Sequence, residues 1–171
     1  MNTHNITIRT ELRPGDIGYV IHLHGKIYGQ EYAFGIGFEA YVAQGMYEFH
    51  RQYDPVKDRV WICEDRGRIV GFLLLMHREG DAAQLRYFIL EPAYRGLGLG
   101  KQLMGLYMEH LRKAGYRSSY LWTTHELSAA ASLYKRYGFR LAEEKESDAF
   151  GKSLYEQKYE LHDTTSLERI S

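Results

Sequence analysis

Residues 93–103 read AYRGLGLGKQL: three glycines, Gly96, Gly98 and Gly100, alternate behind Arg95, and a helix-like run follows. Glycine lets backbone approach a partner with no Cβ in the way, at a cost of about 0.5–1 kcal/mol in regular structure. Two nucleotide loops fail on residues. A Walker A loop ending at Gly100-Lys101 would need glycine where Arg95 stands and Ser or Thr where Gln102 stands. A Rossmann fingerprint would need its last glycine at Lys101 or Leu103. What remains is R-x-x-G-x-G at Arg95, Gly98 and Gly100, with Gly96 in a free position of the pattern, where it only eases the turn. Helix N-termini carry unpaired N–H groups and roughly half a positive charge. A glycine loop lets phosphate oxygens reach them. On residues alone the pattern fits an anion cradle or a tight turn leading into a helix.

A second set of residues could move protons. Tyr134 sits in ASLYKRYGF, residues 131–139, on a stripe with Leu127, Ala130, Ala131 and Tyr137 that would also serve as plain core. Glu31 and Glu39 lie among Tyr28, Tyr32, Phe34 and Phe38, and a carboxylate with aromatic walls suits a cationic amine. His24 and Glu126 are further candidate bases, and each of these groups could equally belong to a solvated helix face. Arg86 could hold a carboxylate or pair with a structural acid. Two metal-like patterns fail: in HLH, residues 22–24, positions two apart on a helix do not share a face, and HELSA, residues 125–129, has Ala129 where a second histidine is needed. No metal is expected.

These residues need a scaffold, and 171 residues suffice for one domain with its own core. Lys plus Arg equals Asp plus Glu at 22 each, so no global field draws the chain to nucleic acid or an anionic membrane. A single cysteine, Cys63, permits no internal disulfide. The polar N-terminus does not resemble a signal peptide, and VGFLLLM, residues 70–76, is far short of the ~20 residues of a membrane span. A cytoplasmic protein is expected. Hydrophobic periodicity and glycine punctuation give the order strand, two helices, three strands, helix, strand, helix, two strands. Asp16 is expected to cap the first helix, DRGR to turn the hairpin between the second and third strands, and Gly115 to stop the third helix. That order implies an α/β (α+β) sandwich around one mixed sheet. One domain is expected over 1–162, with a polar tail at 163–171.

The R-x-x-G-x-G loop between strand and helix, followed by a strand and a helix bearing LYKRYGF, resembles the GCN5-related N-acetyltransferases (GNAT). More narrowly, RPGDIGYVIHLHGKIYGQEY, FEAYVA and FGKSLYEQKYEL are similar to the acetyltransferase half of proteins that fuse this domain to a MarR-type regulator. No winged-helix half is present here. The resemblance implies a mostly antiparallel sheet of about seven strands flanked by about four helices. It implies that the backbone of Arg95, Gly96, Leu97, Gly98, Leu99, Gly100 and Lys101 cradles the pyrophosphate of acetyl-CoA, the co-substrate. Ile89 and Leu90 would line the pantetheine arm, and Tyr134 would protonate the departing thiolate. Many members carry Asn where this chain has Leu127, so that contact is lost or made otherwise. The two N-terminal helices would cover the acceptor site, which puts Glu31 and Glu39 forward as bases and His24, Tyr28, Tyr32, Phe38 and Arg86 as acceptor-side residues. The implied function is acetyl transfer to a small-molecule or protein amine; the alternative is a non-catalytic acyl-CoA sensor or partner-docking module. KSLYEQKYEL could offer an edge to a second subunit, making a homodimer possible.

Overall fold

The computed structural model describes residues 5–162 and 164. The expected tail therefore lies, apart from Thr164, outside the described residues. The elements run β1 (Ile6–Arg9), α1 (Asp16–Tyr32), α2 (Ile36–Arg51), β2 (Arg59–Asp65), β3 (Arg68–Arg78), β4 (Ala82–Leu90), α3 (Leu99–Lys113), β5 (Ser118–Thr124), α4 (Ser128–Arg136), β6 (Arg140–Ser147) and β7 (Leu154–His162). A single 3₁₀ turn, Pro92–Tyr94, joins β4 to the glycine loop. The seven strands form one sheet in the order β1-β2-β3-β4-β5-β7-β6. Every neighbouring pair is antiparallel except β4 and β5. This is the expected single α/β sandwich. None of the helices described is long and apolar enough to cross a membrane.

Local sequence explains the main joints. Arg66 and Gly67 both take positive φ, 52° and 79°, and make the tight β2–β3 turn whose twist matches the strands. Gly115, at φ 77°, follows α3, and the Tyr116 N–H reaches back to the Leu111 carbonyl, so orphan carbonyls of the last turn are paired. Residues 69–76 of β3 are buried on both faces, which is why this strand is a continuous apolar run. Leu73 and Leu75 join the core beneath α3 and α4. Phe72, Leu74 and Met76 join the core beneath α1 and α2.

Asp16 does not cap α1, as its sequence position suggested. The N-cap is Gly15, in the left-handed region at φ 95°, with no side-chain cap bond. Asp16 is instead buried beneath Arg9 of β1, whose Nη1 and Nη2 donate to its two oxygens at 2.7 and 2.9 Å. The Arg13 N–H donates to the same carboxylate, and Arg9 also reaches Glu64 of β2. Burial pushes the Asp16 carboxyl up, but the Arg9 and Arg13 bonds outweigh it and hold it below its ordinary value. Because the folded value is depressed, this contribution is present above the unfolded value of about 3.9 and is lost as pH falls through the folded one. Asp16→Asn is expected to cost about 2 kcal/mol at neutral pH, since it leaves a part-buried guanidinium short of a partner. Chemical denaturation of wild type and variant from pH 7 to pH 3 checks this: the gap should close as the acid limb is entered.

Candidate active site

The site begins at a defect in the sheet. β4 pairs with β5 only over Ala82–Gln84, although both strands run on past that point. Opposite β3 the register slips between Phe72 and Leu74, and Tyr87 takes φ 57° within the strand. A non-glycine residue at positive φ marks a bulge that bends the strand. Tyr87 carries its side chain against Gly45 of α2, where a Cβ would collide with the Tyr87 hydroxyl and the Arg86 guanidinium. So β4 bends away from β5, and a slot opens between them.

The slot has two chambers. The outer one, of about 410 Å³, is lined by Ile89 and Leu90 of β4, by Arg95, Gly96, Gly98, Gly100 and Lys101, by Tyr32 of α1, and by Glu126, Leu127 and Leu133. Gly96 and Gly98 take φ 76° and 82°, whereas Gly100 lies inside α3. Gly98 is the N-cap of α3 and supplies no side-chain cap, so the first N–H groups of the helix stay available at the chamber wall. A Cβ at Gly100 would stand 3.5 to 3.8 Å from Leu133, Phe88 and Leu90, residues that line the same chamber. The conformational demand thus falls on Gly96 as much as on Gly98, contrary to the minor part the spacing gave Gly96.

The inner chamber, of about 120 Å³, is walled by His24 and Tyr28 of α1, Phe38 of α2, Arg86 of β4, Trp122 and Thr124 of β5, Leu127, Tyr134, Phe150 and Glu156. Two turns close it. The Gly35 N–H donates to the Phe150 carbonyl at 2.8 Å, and Phe150 stacks on Phe34 at 5.5 Å between ring centres. Lys152 Nζ donates to the Tyr32 carbonyl at 2.9 Å and to Glu126 Oε1 at 2.6 Å, joining α1, the β5–α4 loop and the β6–β7 turn. Buried polar atoms without a hydrogen-bond partner among the described residues gather around the slot: His24 Nε2, Thr124 Oγ1, Tyr87 Oη and Glu126 Oε2. Each such group costs about 1–3 kcal/mol, and their concentration around one slot points to a ligand that satisfies them.

Two inner-chamber groups have protonation states set by burial. His24 Nδ1 lies 2.8 Å from the Val20 carbonyl, which can only accept, so Nδ1 carries the proton and Nε2 a lone pair. Burial pushes this imidazole down to about 4, so it stays neutral at pH 7. Tyr134 is 5% exposed, and its hydroxyl makes no hydrogen bond among the described residues. Burial drives its ionisation well above the ordinary phenol value, with Tyr28 and Tyr107 adding to the effect.

The acetyltransferase (GNAT) family model matches residues 27–139. The chain belongs to the GNAT family of acetyltransferases. This GNAT chain is 35% identical over 95 residues to the uncharacterized N-acetyltransferase YjgM of Escherichia coli K12, covering 54% of this chain and 57% of that one. It is 31% identical over 112 residues to the mycothiol acetyltransferase of Corynebacterium glutamicum strain R, covering 62% of this chain and 38% of that one. The matches thus span between about two fifths and three fifths of these relatives' lengths. In fold it is similar to a GNAT acetyltransferase from Staphylococcus aureus Mu50, with TM-score 0.75 at 19% identity over 92% of this chain and 98% of that one. It is also similar to the spermidine N-acetyltransferase of Vibrio cholerae, solved with CoA and spermine, with TM-score 0.69 at 18% identity over 95% of this chain and 98% of that one.

Within this GNAT domain the candidate residues separate. His24, Tyr28, Phe38, Arg86 and Tyr134 share the inner chamber, while Tyr32 lines the outer one. Glu31 and Glu39 line neither. Glu31 is bound to Arg95 at 2.9 Å, pinning the glycine loop to α1. Glu39 turns its carboxylate into the notch that Gly25 leaves on α1. Leu97 is exposed and Leu99 is buried in the core, and neither lines the outer chamber. Glu126 lines the outer chamber and is salt-bridged to Lys152. The residue missed from sequence is Glu156, the glutamate on the inner-chamber wall. It stands opposite Thr124 in the β5–β7 register. The alternation in LYEQKYEL puts Glu156, Lys158 and Glu160 on one face, but only strand pairing tells which face that is.

Proposed function

We propose that this chain is an acetyl-CoA-dependent N-acetyltransferase that moves the acetyl group directly to an amine, with Tyr134 as general acid. The observation that carries this reading is the Tyr134 hydroxyl, unpaired among the described residues, in a slot whose outer half is walled by the glycine loop. The residues fit the co-substrate. Gly96, Gly98 and the start of α3 would hold phosphates, Arg95 and Lys101 would add charge, and Ile89, Leu90 and Leu133 would flank the arm. Acetyl-CoA supplies a thioester whose acyl carbon takes the amine nitrogen as its C–S bond breaks, giving an N-acetyl amide and a thiol.

The protein's part is proton handling. An amine of pKa about 10.4 is neutral in only about one molecule per 2,500 at pH 7. Glu156 would draw the ammonium in and take its proton. His24 Nε2, a neutral acceptor, would orient the remaining N–H. Tyr134 gives its proton to the leaving sulfur and is refilled by the proton the nitrogen sheds on becoming an amide. Burial keeps that phenol protonated until it is needed. Calorimetry with CoA, followed by thiol release across an amine panel, tests the reading. CoA binding without thiol release from any amine would favour the acyl-CoA sensor, and absence of CoA binding would end both readings.

The glycines separate the loop's two duties. Gly96→Ala is expected to weaken CoA about fivefold and lower Tm slightly, because a Cβ at φ 76° costs roughly 1 kcal/mol or more. Gly100→Ala should raise Tm, since alanine is favoured over glycine in a helix by about 1 kcal/mol, yet weaken CoA by adding a Cβ at the chamber wall. Thermal unfolding and calorimetry on both variants read the opposite signs.

A further inference from the structure

Beside the inner chamber, on the α2 side of β4, lies a polar pocket of about 370 Å³ with Arg86 shared between the two. Its two arginines are bound very differently. Arg78 is held by three bonds: Nε and Nη2 donate to Gln84 Oε1 at 2.9 and 2.8 Å, and Nη1 to Glu48 Oε1 at 2.7 Å. Arg86 has side-chain exposure of only 9%, and its nearest carboxylate oxygen, Glu48 Oε2, is 3.6 Å away. Of its five N–H donors, one meets an acceptor among the described residues, the Tyr41 hydroxyl at 3.3 Å. Its guanidinium otherwise lies over the Tyr87 and Tyr41 rings, at 4.8 and 5.7 Å from their centres. A part-buried guanidinium held mainly by ring faces, with free donors at the chamber wall, is built for a planar anion, and carboxylate takes two such bonds at once.

The inner chamber also carries a group of the opposite sign. Glu156 lines the inner chamber with Arg86, and Phe38, Phe150 and Trp122 add apolar wall to the same chamber. Glu48 gives Oε1 to Arg78 and leaves Oε2 3.6 Å from Arg86, within ion-pair range but too long for a hydrogen bond. The pattern is one cation and one anion bounding an aromatic slot, which matches a molecule carrying an ammonium and a carboxylate. Resting on the acetyltransferase reading above, we infer that the acceptor is a free amino acid or a close amino-acid-like zwitterion, its carboxylate on Arg86 and its amine toward Glu156 and Tyr134. A polycation such as a polyamine would place a positive charge against Arg86 and leave the guanidinium's donors unused.

The test uses the whole chain saturated with CoA and a panel of N-acetyl amino acids, the products, beside their methylamides. Calorimetry should show the free carboxylates binding at least tenfold tighter than their amides. Arg86→Met should erase that difference, Arg86→Lys should restore part of it, and Glu48→Gln should enlarge it by freeing Arg86 further. A purely structural arginine would weaken acids and amides alike and would not respond to Glu48→Gln. CoA affinity and Tm measured on each variant show whether it is folded. Equal affinity for acids and amides in wild type, or no binding of any carboxylate, overturns the inference. Thiol release from simple amines but not from amino acids overturns it while leaving the acetyltransferase reading standing. Failure to bind CoA, or no thiol release from any amine, overturns that reading and the inference with it.

Discussion

Tyr134→Phe is expected to lower kcat about 10²-fold while CoA affinity stays within twofold of wild type. The substitution removes one oxygen and keeps the ring that packs near Phe88, Phe139 and Tyr159. No hydrogen bond among the described residues is lost with it, so stability should change little. On the proposed mechanism the variant lacks the proton for the departing thiolate, and a positioned acid typically contributes 10²–10⁴-fold. The low end is expected, because a thiol of pKa about 8.5 leaves tolerably without help. The pH profile adds a second check. Burial raises the Tyr134 pKa above the usual value near 10, so the group stays in its acid form through the alkaline range. Wild-type kcat should therefore hold to at least about pH 10. An alkaline fall well below that, or unchanged turnover in the phenylalanine variant at several pH values, would remove Tyr134 from the mechanism.

Gly98→Val is expected to weaken CoA about 10²-fold. Gly98 stands at φ 82°, and among the described residues beyond its chain neighbours no atom lies within 4 Å of an added Cβ, so there is space for the Cβ itself. The cost is conformational: a left-handed backbone costs an ordinary residue roughly 1–2 kcal/mol, and a β-branched one is a genuine outlier there. Valine therefore drags the loop toward extended geometry and turns the first N–H groups of α3 away from the phosphates. Gly98→Asn is the informative control, since asparagine tolerates the left-handed region. It should bind CoA tighter than the valine variant and weaker than wild type. Calorimetry ranks the three, and equal affinity in all of them would reduce the loop to a plain helix-leading turn.

The order of elements was readable because glycine punctuation and apolar period agree at nearly every joint. Gly67, Gly115 and the β3 run each behave as their neighbours in sequence imply. Tyr134 and the glycine loop could be singled out as candidates because a local pattern carries them. The rest depends on contacts distant in sequence. Nothing in AAQLRYFIL announces that Tyr87 takes positive φ, because that bulge is accommodated by Gly45, 42 positions away on α2. Glu156 was passed over for the same reason, and Asp16 looked like a cap until β1 placed Arg9 above it. Glu31 and Glu39 look catalytic among their aromatic neighbours, yet one serves Arg95 and the other packs against Gly25.

The turn holding Gly35 and the turn holding Phe150 clasp each other at the rim of the inner chamber, far in sequence from the glycine loop. The two ends of the slot are therefore free to drift at different rates. Residues 33–37 and 148–152 could be rewritten together, changing the shape and polarity of the inner chamber, while residues 95–101 stayed as they are. The hinge of such an exchange is Lys152, whose ammonium reaches both the end of α1 and Glu126 in the outer wall. A graft of both turns that retained this lysine would reshape the inner chamber as a cassette, whereas either turn alone would leave the clasp with half its partners.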